Sequence, residues 1–170
     1  MYRKIMLLAS VVLTANLVNA QMEAAQKIKL DIDTGVVFRS STVPALWDAI
    51  KDPAKWADIS NGYVQSIETA GSVENQQRTF VFADGTQRKD QITQYQPEYK
   101  MIVFKVKEPL EASIKECSIF FVIRSNDSGA PEFHVGAIIH GSNSDKEKML
   151  PRLKKELGNY LQGMSSRFSQ

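Results

Sequence analysis

Few side chains in this chain are suited to covalent or metal chemistry. There are two histidines, His134 and His140, and one cysteine, Cys117. On a single strand the two histidines share a face, but six residues at roughly 3.3 Å each hold them about 20 Å apart, too far for one metal. Cys117 lies in the run Cys117-Ser118-Ile119-Phe120-Phe121, which reads as a buried strand and makes the thiol a packed, inert group. A lone cysteine excludes an internal disulfide. The sequence has no glycine-rich phosphate loop, no Gly-x-Ser-x-Gly elbow and no histidine-glutamate zinc motif. No metal or cofactor is therefore expected. His134 has the side chain of a general base, but no nucleophile or orienting acid can be placed beside it, and an ordinary strand position is the better reading.

The most informative pattern is the hairpin from Gln77 to Arg88. If Ala83-Asp84-Gly85 form a three-residue loop with Gly85 in the left-handed position, Phe82 opposes Thr86, Phe80 opposes Arg88 and Arg78 opposes Asp90. Paired residues share a face, so Arg78, Phe80, Phe82, Asp90 and Ile92 fall together while Lys89 and Gln91 face the other way. A two-residue turn would set both phenylalanines among Gln87 and Lys89, which suits a one-sided sheet less well. The inward face thus carries large apolar groups and one Arg–Asp pair. That pair is either an exposed cross-strand bridge, contributing below about 1 kcal/mol, or a polar anchor aimed into a pocket. Both readings stay open at this level.

The elements that position these residues follow from periodicity. Ile28, Leu30 and Ile32 alternate with Lys29, Asp31 and Asp33 as a half-buried strand that resumes after Gly35 through Val36 to Phe38. Ser41 or Thr42 before Pro44 starts a short helix with Leu46, Trp47 and Ile50. Asp52-Pro53 starts a second, carrying Trp56 and Ile59 and ending at Asn61-Gly62. Strands are expected over Tyr63–Thr69, Gln76–Phe82, Thr86–Tyr95, Met101–Lys107, Ala112–Ile123 and Glu132–His140, separated by turn signals such as Asp84-Gly85 and Glu108-Pro109. Their short connections make sequence neighbours antiparallel neighbours. Ser144 and Glu147 have capping-box spacing, and Met149, Leu150, Leu153, Leu157, Leu161, Met164 and Phe168 then mark a long C-terminal helix. Pro151 should kink its first turn or reset its start, and packing must offset Gly158 and Gly163.

The first 20 residues read as a secretory signal. Arg3 and Lys4 precede an uncharged run from Ile5 to Val18, and Val18-Asn19-Ala20 supplies the small residue at the cut. The run is too short to cross about 30 Å of hydrocarbon, and Asn16 interrupts it. Residues 21–35 form a lead-in and the start of the first strand, and 36–170 form the domain. A periplasmic or secreted location follows. The whole chain of 170 residues is +2, but without Arg3 and Lys4 its 21 basic residues become 19, against 19 acidic ones. Such a balance gives no field to draw nucleic acid or anionic lipid.

The order strand, two short helices, six strands and long C-terminal helix resembles the helix-grip fold of the SRPBCC/START-like superfamily. That group includes birch-pollen-allergen-like proteins, START lipid-transfer domains and bacterial polyketide cyclase/dehydrase-like proteins. Val43-Pro44-Ala45-Leu46-Trp47 and Asp52 to Trp56 look like the group's first helices. Arg78-Thr79-Phe80, Asp84-Gly85 and Asp90-Gln91-Ile92 are similar to its hairpin, and Phe104 to Pro109 to its aromatic strand. Asp90 stands where glutamate is commoner and Phe104 where tyrosine is common. The resemblance implies an α+β fold with a seven-stranded curved antiparallel sheet gripping the last helix. It also implies a pocket for a small hydrophobic or lipid-like molecule, lined by Arg78, Phe80, Phe82, Asp90, Ile92, Phe104, Trp56, Leu153 and Leu157. A cyclase or dehydratase acting through Asp90 or His134 is one alternative. An accessory protein that binds another periplasmic protein is the other.

Overall fold

The structure, a computed structural model, describes residues 29–168, so the expected signal, the lead-in and Ile28 lie outside the described residues. Strand β1 (Ile32–Val37) is followed by helix α1 (Val43–Ile50) and a 3₁₀ helix (Pro53–Ile59). Then come β2 (Val64–Ala70), β3 (Gln77–Phe82), β4 (Gln87–Gln96), β5 (Met101–Glu108), β6 (Glu116–Ser125) and β7 (Pro131–His140). Helix α2 (Asn143–Phe168) ends the described chain. The strands form one antiparallel sheet in the order β1-β7-β6-β5-β4-β3-β2. From β2 to β7 every connection is a hairpin, because each linker is too short to cross the sheet. Only the two helices after β1 span enough distance to carry the chain from one edge to the other. The architecture is a helix-grip α+β fold.

Local chemistry sets the helix starts. Thr42 Oγ1 accepts from the Ala45 amide at 3.3 Å, with Pro44 in the first turn of α1. Asp52 Oδ1 accepts from the Ala54 amide at 3.2 Å, and Pro53 opens a 3₁₀ rather than an α-helical segment. Two findings correct the reading of α2. Its start is capped by Ser142, whose Oγ accepts from the Asp145 amide at 3.3 Å, and not by Ser144. Pro151 is accommodated within one continuous helix. The first strand begins at Ile32, with Lys29 to Asp31 outside it.

The concave face is apolar and crowded. Phe80, Phe82, Phe104, Phe121 and Phe133 from the sheet meet Leu46, Ile50, Trp56 and Ile59 from the short helices. Leu153, Leu157, Tyr160 and Met164 of α2 close the layer. α2 packs on β1, β7 and the 3₁₀ helix. At Gly163 the helix backbone rides directly on the Ile59 carbonyl, where any Cβ would overlap it.

A buried ion quartet beneath the last helix

Hairpin β3–β4 takes the expected register. Arg78 pairs with Asp90 and Phe80 with Arg88. The Gly85 amide donates to the Phe82 carbonyl at 2.9 Å, with Gly85 at φ +80°. Strand alternation then turns Arg78, Phe80, Phe82, Arg88, Asp90 and Ile92 inward.

The Arg–Asp pair is one half of a four-charge cluster. Arg78 Nε donates to Asp90 Oδ1 at 2.7 Å, and Arg88 Nη2 donates to Asp90 Oδ2 at 3.2 Å. From α2, Glu156 takes both ends of the Arg88 fork: Nη2 donates to Oε1 at 2.8 Å, and Nη1 donates to Oε2. Three of the four side chains are 0% exposed and Arg88 is 4% exposed. Two arginines and two carboxylates make the quartet neutral, which is what allows it to be buried at all. Burial opposes the charge on Arg88, but Glu156 and Asp90 outweigh it and raise its pKa. On Arg78 burial wins over Asp90 and lowers the pKa.

Arg78 is held by rings as well as by charge. Its guanidinium carbon lies 4.4 Å from the centroids of Trp56 and Phe104 and 5.0 Å from that of Phe80. Trp56 is buried here, its Nε1 donating to the Ile50 carbonyl at 2.7 Å. Ile92 is the cross-strand partner of Phe104. Leu157 packs in the same layer, and Phe82 lies 5.0 Å from the Arg152 guanidinium.

Hydrogen bonding within the cluster is incomplete. Nη1 and Nη2 of Arg78, Nε of Arg88 and the hydroxyl of Tyr160 are buried without partners among the described residues. Tyr160 stands edge-on to Phe121 at 5.1 Å, and burial raises its pKa well above the usual phenol value. One buried acceptor, Gln76 Oε1, is also unpaired, and no hydrogen bond joins it to these donors.

A crevice of about 180 Å³ reaches this cluster from outside. It runs between α2 and the β5–β6 connection. Pro109, Leu110, Ala112, Met149 and Leu153 line it, Arg88 is among its lining residues, and Lys148, Arg152 and Glu111 also border it. A larger groove of about 510 Å³ is lined mainly by outward-facing residues of β2 to β5, including Thr79, Lys89 and Gln91, with Arg78 and Asp90 also among its lining residues. It lies on the convex side of the sheet.

His134 is on that convex side too. Its Nε2 is 2.7 Å from Asp33 Oδ1, its Nδ1 is 3.2 Å from Glu132 Oε1 and 3.1 Å from Arg124 Nη2, and its ring stacks on Phe120. The sheet therefore separates His134 from Asp90. Cys117 is fully buried, and its thiol pKa is pushed up to about 12 by that burial. Among the described residues no group of three His, Cys, Asp or Glu side chains is arranged to hold a metal.

Arg88, Glu156 and Tyr160 escaped the sequence reading. Arg88 was signalled by its parity with Phe80. Glu156 and Tyr160 fall at helical spacing within the stripe Leu153–Leu157–Met164, a place where an acid is normally absent.

Neither protein-family models nor curated proteins match the chain. Solved structures do. The protein XoxI from Bacillus cereus superposes with a TM-score of 0.69 at 9% identity, over 82% of this chain and 95% of that one. Norcoclaurine synthase from Thalictrum flavum, in complex with dopamine and hydroxybenzaldehyde, gives 0.65 at 12% identity, over 79% and 83%. Major latex-like protein 151 from Panax ginseng gives 0.63 at 14%, over 81% and 95%. These likenesses show the helix-grip fold.

Proposed function

We propose that this helix-grip chain binds a small, largely apolar molecule between its sheet and its last helix. The observation that carries this reading is the crevice beside α2, whose lining mixes apolar and charged side chains and which reaches a buried arginine whose Nε has no partner among the described residues. Apolar side chains with a few placed polar groups are the common make-up of a ligand site. The ligand's body would lie against Leu110, Met149 and Leu153, with Phe82 close by. Arg88, and behind it Arg78 and Asp90 among Trp56, Phe80, Ile92, Phe104 and Leu157, would meet its polar end. Affinity would come from apolar burial at about 25 cal/mol per Å².

The rings already fill the centre of the molecule, so a ligand larger than the crevice enters only as α2 shifts outward. An acid–base role for Asp90 has weaker support, since both its oxygens accept from arginines. His134 has the sheet between it and the crevice.

In the same proposal the protein works outside the cytoplasm, after removal of residues 1–20. Expression in a bacterial host should yield a periplasmic protein whose intact mass begins at Gln21. A cytoplasmic protein of full mass would refute the export half. For the binding half, the purified protein is incubated with a lipid extract, re-isolated and analysed by mass spectrometry. A stoichiometric small molecule and a raised melting temperature are expected. Neither appearing would overturn the binding half.

A further inference from the structure

The buried quartet constrains what kind of polar end such a ligand can have. Asp90 accepts from two arginines and Glu156 from Arg88 twice, so the anions are occupied. What is left over is donors. The four N–H of Arg78 Nη1 and Nη2, the Nε–H of Arg88 and the Tyr160 hydroxyl are all buried and without partners among the described residues. They are gathered closely: both arginines bond Asp90, and both guanidinium carbons lie within 5.0 Å of the Phe80 ring centroid. Tyr160 stands against the same ring as Arg78: its centroid is 6.2 Å from that of Trp56, over which the Arg78 guanidinium lies at 4.4 Å. Buried donors left unmatched are unfavourable, so the place favours an oxygen that accepts several hydrogen bonds.

The charge count decides which oxygen. The quartet sums to zero, and a carboxylate brought in would leave an uncompensated anion away from water. A carbonyl dipole turns its negative end to the donors and adds no net charge. We infer that Arg88 Nε, Arg78 Nη1 and Nη2 and the Tyr160 hydroxyl form one acceptor subsite, which takes the uncharged carbonyl of a ketone, ester or amide in preference to a carboxylate. This rests on the binding reading above and names its ligand class.

Three probes of nearly equal shape separate the alternatives: 4-phenylbutan-2-one, its carboxylate counterpart 3-phenylpropanoate, and butylbenzene, which lacks oxygen. Titration calorimetry on the purified protein should find the ketone bound about tenfold more tightly than either of the others, the worth of one hydrogen bond to a charged donor. The infrared carbonyl stretch of the bound ketone should fall below its value in an apolar solvent. Tyr160→Phe, which keeps the ring and removes one donor, should reduce both the preference and the shift.

Tighter binding of 3-phenylpropanoate would overturn the assignment of ligand class. Equal binding of ketone and hydrocarbon, with an unshifted carbonyl, would overturn the subsite while leaving the binding reading intact. That is the result expected if the donors serve only ordered water. Failure of all three probes to bind would remove both.

Discussion

A charge enclosed in hydrocarbon is tolerable only while its partners are present, and at Arg88 the partners come from two elements. Glu156→Gln removes one of two carboxylates from a side chain that is only 4% exposed. Breaking a buried pair in this way typically costs about 3–5 kcal/mol. Urea unfolding of Glu156→Gln should show a loss of that size, and adding Arg88→Met should recover much of it. A loss below about 1 kcal/mol, the value of an exposed pair, would mean that water reaches the quartet. The Arg78–Asp90 half was legible in the sequence, because a hairpin of known loop length fixes which side chains oppose. The Arg88–Glu156 half was not. Its members are 68 positions apart, and no local pattern registers a contact across that span.

At the scale of elements, α2 contains two glycines in opposite situations. Gly163 presses on the Ile59 carbonyl, whereas a methyl group on Gly158 would meet open space. Gly163→Ala should force the helix away from the 3₁₀ segment and destabilise the protein by about 1–3 kcal/mol. Gly158→Ala should stabilise it by up to about 1 kcal/mol through helix propensity alone. Thermal melts of the two variants should move in opposite directions. Strand positions were readable to within a few residues, since alternation and turn residues are properties of the local chain. The cap of α2 was not, because Ser142 and Ser144 both have suitable side chains. Tertiary contacts separate them: Ser142 Oγ also lies 2.7 Å from Ser113 Oγ. The 3₁₀ character of Pro53–Ile59 was likewise hidden.

At the scale of the whole molecule, Asp145 joins the start of α2 to the β5–β6 connection. Its Oδ2 accepts from the Ser113 amide at 3.0 Å and its Oδ1 from Lys148 Nζ at 2.6 Å. Lys148 and Ser113 lower its pKa from 3.8 to about 2. A carboxyl whose folded pKa is depressed stabilises the fold above its unfolded value, and that contribution disappears as pH falls through the folded one. Stability should therefore decline between about pH 4 and pH 2. Asp145→Asn should be less stable at neutral pH but flatter across that acid window, as denaturation followed at several pH values would show. The topology was legible from the short connections after β2. How completely aromatic rings fill the space under α2 was not, because side-chain volume in three dimensions has no signature in one.

The link from hairpin to helix also acts as a key. Apolar side chains recur along α2 and would fit the sheet nearly as well if the helix slid by one turn, about 5.4 Å. Only one alignment brings Glu156 opposite Arg88; any other leaves opposite charges stranded in oil. Discrimination among near-equivalent seatings, more than strength, is then what the quartet contributes. Replacing Arg88 by Met and Glu156 by Leu together should give a protein that still melts cooperatively, yet shows doubled methyl resonances for Leu153 and Leu157. A single sharp set in that variant would mean that shape alone chooses the seating.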